Sequence, residues 1–266
     1  MRLAVTTPAD PSSAEAAAAG EAAARHGLAH AARGRRPLRE VAADAGAEGL
    51  LVLSARGAIL WTPEGERSWA PGMGFLRLKR TLAAARGGPD RPTERDPMLE
   101  AAGIRPGDAV LDATLGLGAD ALVAAGACGP DGRVLACEAS GALAAWVAEG
   151  LRRLPVEAAG RVEVRAADHA ALLATLPGGS FDVVLFDPMF RHARAEPGQF
   201  DVVRRLADPR PLQAETLMAA RRVARRWVVV KDGAPGWDLA RLGLAPLPSA
   251  RGAHRYYARL PALGAG

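Results

Sequence analysis

Residues 108–120, Asp-Ala-Val-Leu-Asp-Ala-Thr-Leu-Gly-Leu-Gly-Ala-Asp, constrain the fold of this chain more than any other stretch. The apolar run 109–111 suits a buried parallel strand and ends abruptly at Asp112. Gly116 and Gly118 follow, and the apolar pattern of Ala121, Leu122 and Val123 then opens a helix. Strand, glycine turn and helix together form the first unit of a doubly wound nucleotide-binding sheet. The glycines permit a tight turn and leave uncovered a stretch of backbone that a Cβ would shield from a ligand.

The charges around the turn bear on which ligand it takes. Gly116-x-Gly118-x-x-Ala121 satisfies the loose dinucleotide fingerprint, and Glu138 lies about twenty residues on, as that fingerprint asks. A dinucleotide places its pyrophosphate on the helix N-terminus, where Asp112 and Asp120 would repel it. A cationic ligand is better matched. S-adenosylmethionine carries a sulfonium and an ammonium, and Glu138 can take its ribose hydroxyls. Asp120 also reads as a plain N-terminal helix cap.

Beyond the turn, strands and helices alternate regularly. Strands are expected at 133–137, 162–165, 181–186, 227–230 and 254–260, with helices at 143–154 and 211–224. Arg221, Arg222, Arg225 and Arg226 close the second of these helices, where cations suit the helix dipole. Such alternation implies a parallel sheet covered on both faces. Ligands then sit at the carboxyl ends of the strands, around the reversal of strand order. Asp112, Glu138, Asp168, Asp187 and Lys231 each end or closely follow a successive strand, which gathers them in one place.

Residues 1–86 read as a small separate α/β domain. A strand is expected at 3–6, and Ser12 with Glu15 makes a capping box for an Ala-rich helix ending near Gly27. A second helix spans 37–44, stopped by Gly46, and strands at 50–53 and 58–62 join at Arg56-Gly57. His26 and His30 have no partners at ligand spacing and read as surface or half-buried residues. Arg33, Arg35 and Arg36 lie in a turn, and Arg77, Lys79 and Arg80 on an expected helix after Pro71-Gly72. Either cluster suits phosphates, and either suits an ordinary solvated face. Gly, Pro and charged residues over 87–95 mark a linker. Residues 96–266 form the second domain, which opens with a short helix from Asp96-Pro97 to Gly103.

Composition narrows the class further. With 266 residues, 49% hydrophobic and 24% charged, the chain is globular rather than disordered. It has no long uncharged apolar run, its N-terminus lacks a signal-peptide pattern, and Cys128 and Cys137 have neither zinc spacing nor a disulfide framework. The expected setting is the cytoplasm, with no membrane partner and no metal. A net charge of +5 and a pI near 10.0 fit an acidic partner such as nucleic acid. The crowding of Ala, Arg, Gly and Pro, with Lys79 and Lys231 the only lysines, fits a compositional habit of the source genome as well.

Asp187-Pro188-Met189-Phe190 carries the most specific chemistry. An Asp or Asn, then Pro, one residue and an aromatic, placed after the fourth strand, resembles the motif of methyltransferases that act on exocyclic amines of nucleobases. The Asp187 carboxylate and a main-chain carbonyl accept the amine hydrogens, and Phe190 stacks on a base swung out of its surroundings. Asp187 also suits the proton released after transfer. An Asp-Pro turn closing a strand, with Phe190 in the core, is the plainer alternative.

Three segments, 112–120, Phe186-Asp-Pro-Met-Phe190 and Val228-Val-Val-Lys231, resemble the RsmJ-type family of class I methyltransferases. The resemblance covers residues 96–260 and extends more loosely to 77–80. It implies a Rossmann-like class I fold and methylation of the exocyclic amine of a guanine in small-subunit ribosomal RNA, with S-adenosylhomocysteine as product. It puts Asp120, Glu138, Asp168, His169 and Asp187 at positions that bind the cofactor or face the reacting methyl group. The candidate cofactor set is Asp112, Thr114, Gly116, Gly118, Asp120, Glu138, Ala139, Asp168, His169 and Asp187. The catalytic set is Asp187, Pro188 and Phe190, and the substrate set is Arg77, Lys79, Arg80, Arg191, Arg194 and Lys231.

The chain also departs from the characterised members. Ala119 replaces their Arg, Arg191-His192-Ala193-Arg194 replaces their Pro-His-Lys, and the first ninety or so residues match poorly. It is closer to a Gram-positive branch without an assigned substrate. A nicotinamide-dependent oxidoreductase, a non-catalytic RNA-binding protein and a methyltransferase of another substrate stay open as alternatives.

Overall fold

A computed structural model of the chain describes residues 1–87, 95–188, 199–248 and 254–264, with backbone only for 199–202. The N-terminal part builds a five-stranded sheet. In it β1 (Leu3–Thr6) runs parallel to both neighbours, β2 (Ala29–His30) and β3 (Gly49–Ser54). β3 continues into an antiparallel meander with β4 (Gly57–Thr62) and β5 (Gly65–Ser68). Alternation along β1 and β3 sends Leu3, Val5 and Leu51 to one face with α1 (Ser13–His26), and Ala4, Leu50 and Val52 to the other with α2 (Leu38–Asp44). The Ser12–Glu15 capping box forms, and α1 ends at left-handed Gly27. β2 and β5 lie outside the expected strands because two exposed residues and a Gly-Glu-Arg-Ser run carry no apolar alternation.

Two helices, α3 (Met73–Ala85) and α4 (Pro97–Ala102), lead to the second sheet. Most of the expected linker, residues 88–94, lies outside the described residues. The second sheet holds β6 (Ala109–Asp112), β7 (Arg133–Glu138), β8 (Val162–Ala166), β9 (Phe181–Phe186), β10 (Ala224–Gly233) and β11 (Arg255–Pro261). Their order is β11-β10-β9-β6-β7-β8, all parallel except β11, which returns antiparallel to β10. The chain steps outward from β6 to β8 and then crosses back to β9. Strand order therefore reverses between β6 and β9, where this architecture binds ligands.

Helices α5 (Ala119–Cys128) and α6 (Gly141–Arg153) cover one face of this sheet. On the other lie α7 (His169–Thr175), α9 (Ala214–Val223) and the short α10 (Trp237–Arg241), while α8 (Gln199–Leu206) follows the loop after β9. Only Arg221 and Arg222 occupy the last turn of α9. Arg225 and Arg226, expected in that helix, belong to β10, which begins early by pairing Ala224 with Phe181. There Arg226 pairs with Asp108 at 2.5 Å and Arg225 with Asp182 at 3.2 Å.

One apolar core runs from the first sheet into the second. The Trp146 indole donates to the Ala58 carbonyl at 3.2 Å, and Gly150 lets Trp69 lie against α6. Gly74 meets Ala119 so closely that a Cβ on the glycine would sit 2.8 Å from the Ala119 Cα. Glu149, 1% exposed, accepts from Arg25 at 2.5 Å, His26 at 2.9 Å and Arg153 at 2.5 Å, tying α1 to α6. No helix among the described residues is long and apolar enough to cross a membrane.

Candidate active site

Strand periodicity assembles the site. Val110, Ala136, Leu185 and Val229 face the α5–α6 side of the sheet, so Asp112, Glu138, Asp187 and Lys231, two residues on in each case, fall on that same side. All four stand at the carboxyl edge, with the strand reversal among them. Asp120 joins them from the first turn of α5.

The glycine turn is stitched to its neighbours. One Asp112 oxygen accepts from the Thr114 amide at 3.0 Å, and the Thr114 hydroxyl accepts from the Asp187 amide at 2.6 Å. Glu138 accepts from the Gly116 amide at 3.3 Å and from the Ser140 amide at 3.0 Å. The two glycines do different work. Gly116, at φ +51°, borders open space where only the Thr114 carbonyl comes within 4.0 Å of a Cβ. Gly118, at φ +81°, faces protein: a Cβ there would press on Val147 at 3.1 Å. Gly116 thus leaves room for a ligand, whereas Gly118 lets α6 approach.

Beside the turn lies a buried cluster of charge. The Lys231 ammonium donates to Asp120 at 3.2 Å and to Asp187, while the Arg77 guanidinium reaches Asp120 at 2.5 Å and Asp96 at 2.6 Å. Burial alone would raise Asp120, but Lys231 and Arg77 outweigh it and hold its carboxyl down to about 2. Asp112, 1% exposed, has no such partner. Burial and then the Asp120 charge push it up to about 7, and its second oxygen has no hydrogen-bond partner among the described residues. Asp187 is also raised, by burial first, with Lys231 opposing and Asp120 adding. Burial raises Glu138 as well.

Arg77 and Lys231 belong to the expected substrate set, Arg77 as part of a phosphate-binding cluster. Both cations instead turn inward onto carboxylates, so neither is presented to an incoming backbone. Lys79 and Arg80 are exposed on α3, with the Lys79 ammonium 4.6 Å above the Phe75 ring. Asp168 caps α7 through the Ala170 and Ala171 amides and pairs with Arg210, which also holds Asp208. His169 meets Phe186 edge-on at 5.9 Å, and burial lowers its pKa. Ala139 is exposed and, with Ser140, Arg2, Leu28 and Arg210, lines an open cavity of about 960 Å³ between the two sheets. Pro188 is half-buried, while Met189, Phe190, Arg191 and Arg194 lie outside the described residues.

Sequence reasoning missed Asp96, Tyr257 and Arg210. Tyr257 sits opposite Lys231 in the β10–β11 register. The antiparallel return of β11, which puts it there, leaves no local mark in the sequence. Asp96 carried a helix-cap signal only.

The set as a whole suits a ligand that is cationic at one end and carries ribose hydroxyls at the other. The orphaned Asp112 oxygen awaits a donor or a cation, and Gly116 leaves backbone open beside Glu138. The SAM_MT family, described as "Putative SAM-dependent methyltransferase", matches residues 83–241. The chain belongs to this family. It is an S-adenosylmethionine-dependent methyltransferase. The methyltransferase is 35% identical over 190 residues to the uncharacterized protein YpiP of Bacillus subtilis, covering 69% of this chain and 70% of that one. It is 41% identical over 153 residues to ribosomal RNA small subunit methyltransferase J of Halorhodospira halophila, covering 52% of this chain and 55% of that protein. The match thus spans about half of either. The crystal structure of the SAM-dependent methyltransferase NGO1261 from Neisseria gonorrhoeae shares the fold at a TM-score of 0.62 and 21% identity, covering 98% of this chain and 97% of that one.

Proposed function

We propose that this methyltransferase modifies the exocyclic amine of a guanine in small-subunit ribosomal RNA. The observation that carries the proposal is the Asp187 carboxylate at the strand reversal, followed by Pro188, on a residue whose main-chain amide donates to Thr114 of the glycine turn. A carboxylate and a main-chain carbonyl at that point accept two N–H groups of a planar amine. The similarity to the J-type enzymes, whose name specifies small-subunit ribosomal RNA, favours the same class of substrate. Net charge of +5 and the exposed Lys79 and Arg80 favour a polyanion.

In this proposal Gly116 leaves room for the cofactor, Glu138 takes ribose hydroxyls, and Ala139 and Asp168 border the adenine. Asp112 and Asp120 face its cationic end. Bound there, S-adenosylmethionine would supply the methyl group, with its sulfur as the leaving group. Asp187 fixes the amine by accepting its hydrogens, which aims the lone pair, and then accepts the proton the nitrogen sheds. Positioning supplies most of the rate.

Transfer of labelled methyl tests the proposal. RNA and small-subunit particles from cells lacking the protein should take label at one guanine, and RNA from cells that have it should not. Label absent from every RNA would turn the search to protein or small-molecule acceptors.

A further inference from the structure

Lys231 is 9% exposed and its charge points away from solvent, so it has a task inside the site. Strand register sets its neighbours. Val230 pairs with Phe186, which puts Lys231 beside Asp187 on the adjacent parallel strand, and Lys231 itself pairs with Tyr257 across β11. An ammonium has three N–H donors and no acceptor; here one goes to Asp120 at 3.2 Å and one to Asp187. Among the described residues the groups around Asp187 are Asp112 at the end of β6, Asp120 on α5, Lys231 on β10, Tyr257 on β11 and, through Asp120, Arg77 on α3. Three carboxylates face two cations. Arg77 is shared between Asp120 and Asp96, so among the described residues Lys231 is the cation in contact with Asp187.

We propose that Lys231 is a positioning residue that keeps Asp187 in its carboxylate form, so that Asp187 accepts hydrogens from the acceptor amine. This rests on the proposed role of Asp187 at the amine. Without Lys231, Asp187 and Asp120 would share one buried site as like charges, and a proton would settle on Asp187. A protonated Asp187 donates a hydrogen bond. It would donate into the amine lone pair, the electrons needed to form the new bond. Lys231 therefore acts on the orientation of the nucleophile through Asp187 and touches neither substrate nor methyl group. Burial and Asp120 both raise Asp187, and Lys231 opposes them, in keeping with this role.

The test follows the carboxyl carbon of Asp187 by carbon-13 NMR in the full-length protein, assigned by its absence in Asp187→Asn. In Lys231→Met the Asp187 titration midpoint should rise by about 1–3 pH units, the span that one close opposite charge commands. Lys231→Arg should restore most of the wild-type value. The acidic limb of methyl transfer to small-subunit RNA should move with it, whereas a merely structural lysine would lower activity evenly across pH. An unmoved midpoint in folded Lys231→Met overturns the proposal. If that variant does not fold, Lys231→Gln, which keeps a hydrogen-bond donor and removes the charge, decides: the Asp187 midpoint should again rise, and an unmoved midpoint overturns the idea. The two proposals fail separately. Absence of label in any RNA alongside the shifted midpoint removes the RNA substrate and leaves Lys231 with its role. Label in RNA with an unmoved midpoint removes the role of Lys231 alone.

Discussion

Two of the charge clusters among the described residues are built to opposite plans. At the junction of the sheets, one carboxylate, Glu149, is surrounded by Arg25, His26 and Arg153, with every carboxylate oxygen engaged. At the carboxyl edge of the second sheet, Asp112, Asp120 and Asp187 face Arg77 and Lys231, and an Asp112 oxygen is left over. The first cluster is complete within the protein. The second carries a negative surplus beside a turn left open at Gly116, which is the complement of a cationic cofactor. Burying a charge is costly unless it is paired, so under the proposed function the unpaired oxygen is where stability gives way to binding.

The largest effects should separate the clusters cleanly. Asp187→Asn, in the open cluster, should lower the rate of methyl transfer by about 10²–10⁴-fold, the range for a positioned acid–base group. Calorimetric titration should find S-adenosylhomocysteine still bound. Glu149→Gln, in the closed cluster, should instead cost about 1.5–3 kcal/mol of folding stability, because hydrogen bonds to a buried charged acceptor are lost, while the rate per folded molecule stays unchanged. Denaturant unfolding read against label transfer checks both. Burial works against the Glu149 charge, but His26, Arg153 and Arg25 hold it down to about 2 from an ordinary 4.5. Its stabilisation is therefore fully present above pH 4.5 and fades as pH falls toward 2. The gap between wild type and Glu149→Gln should close over that window.

How far each cluster could be read from the sequence follows from its geometry. The open one is written in strand ends: a hydrophobic run stops at Asp112, at Glu138, at Asp187 and at Lys231, and a period of two sends all four to one face. What the sequence did not reveal there is the partner each charge chooses. Arg77 looked like a surface cation because Arg77, Lys79 and Arg80 lie within one helical turn, yet α3 buries the Arg77 face against α5 and exposes the other two. The closed cluster left no trace, since His26 meets Glu149 across 123 residues and α1 and α6 belong to different sheets. Pairings within an element or between neighbouring strands leave patterns; pairings set by packing do not.

A weaker but more diagnostic effect belongs to Asp112. Its carboxyl, pushed up to about 7 by burial and the nearby Asp120, is neutral below that pH and charged above it. S-adenosylhomocysteine keeps the ammonium of the cofactor, so its affinity should rise as pH climbs through 7. Losing one charge-assisted contact is worth about 1.5–3 kcal/mol, or about 10–100-fold in Kd. Asp112→Asn should flatten that dependence and bind at the level of the wild type in acid. Titrations from pH 5.5 to 8.5, as a roughly even bracket about 7, would show it; a pH-independent wild type would remove Asp112 from the cofactor's cationic end.

The smallest effect tests whether the boundary between the two plans is sharp. Trp69 comes from the N-terminal part and lies against Gly150 of α6, so by packing it belongs with the closed junction. Its indole nevertheless donates to the Leu117 carbonyl at 3.3 Å, inside the glycine turn. Trp69→Phe keeps most of the apolar contact and deletes that hydrogen bond, which should cost about 1 kcal/mol of stability. If the bond also holds the turn in its binding shape, S-adenosylhomocysteine should bind up to about fivefold more weakly, the same free energy seen at the ligand. Loss of stability with unchanged affinity would mean that the first sheet only covers α6. Loss of both would make the N-terminal part a working wall of the cofactor site, reaching the turn through Trp69 as it reaches Asp120 through Arg77.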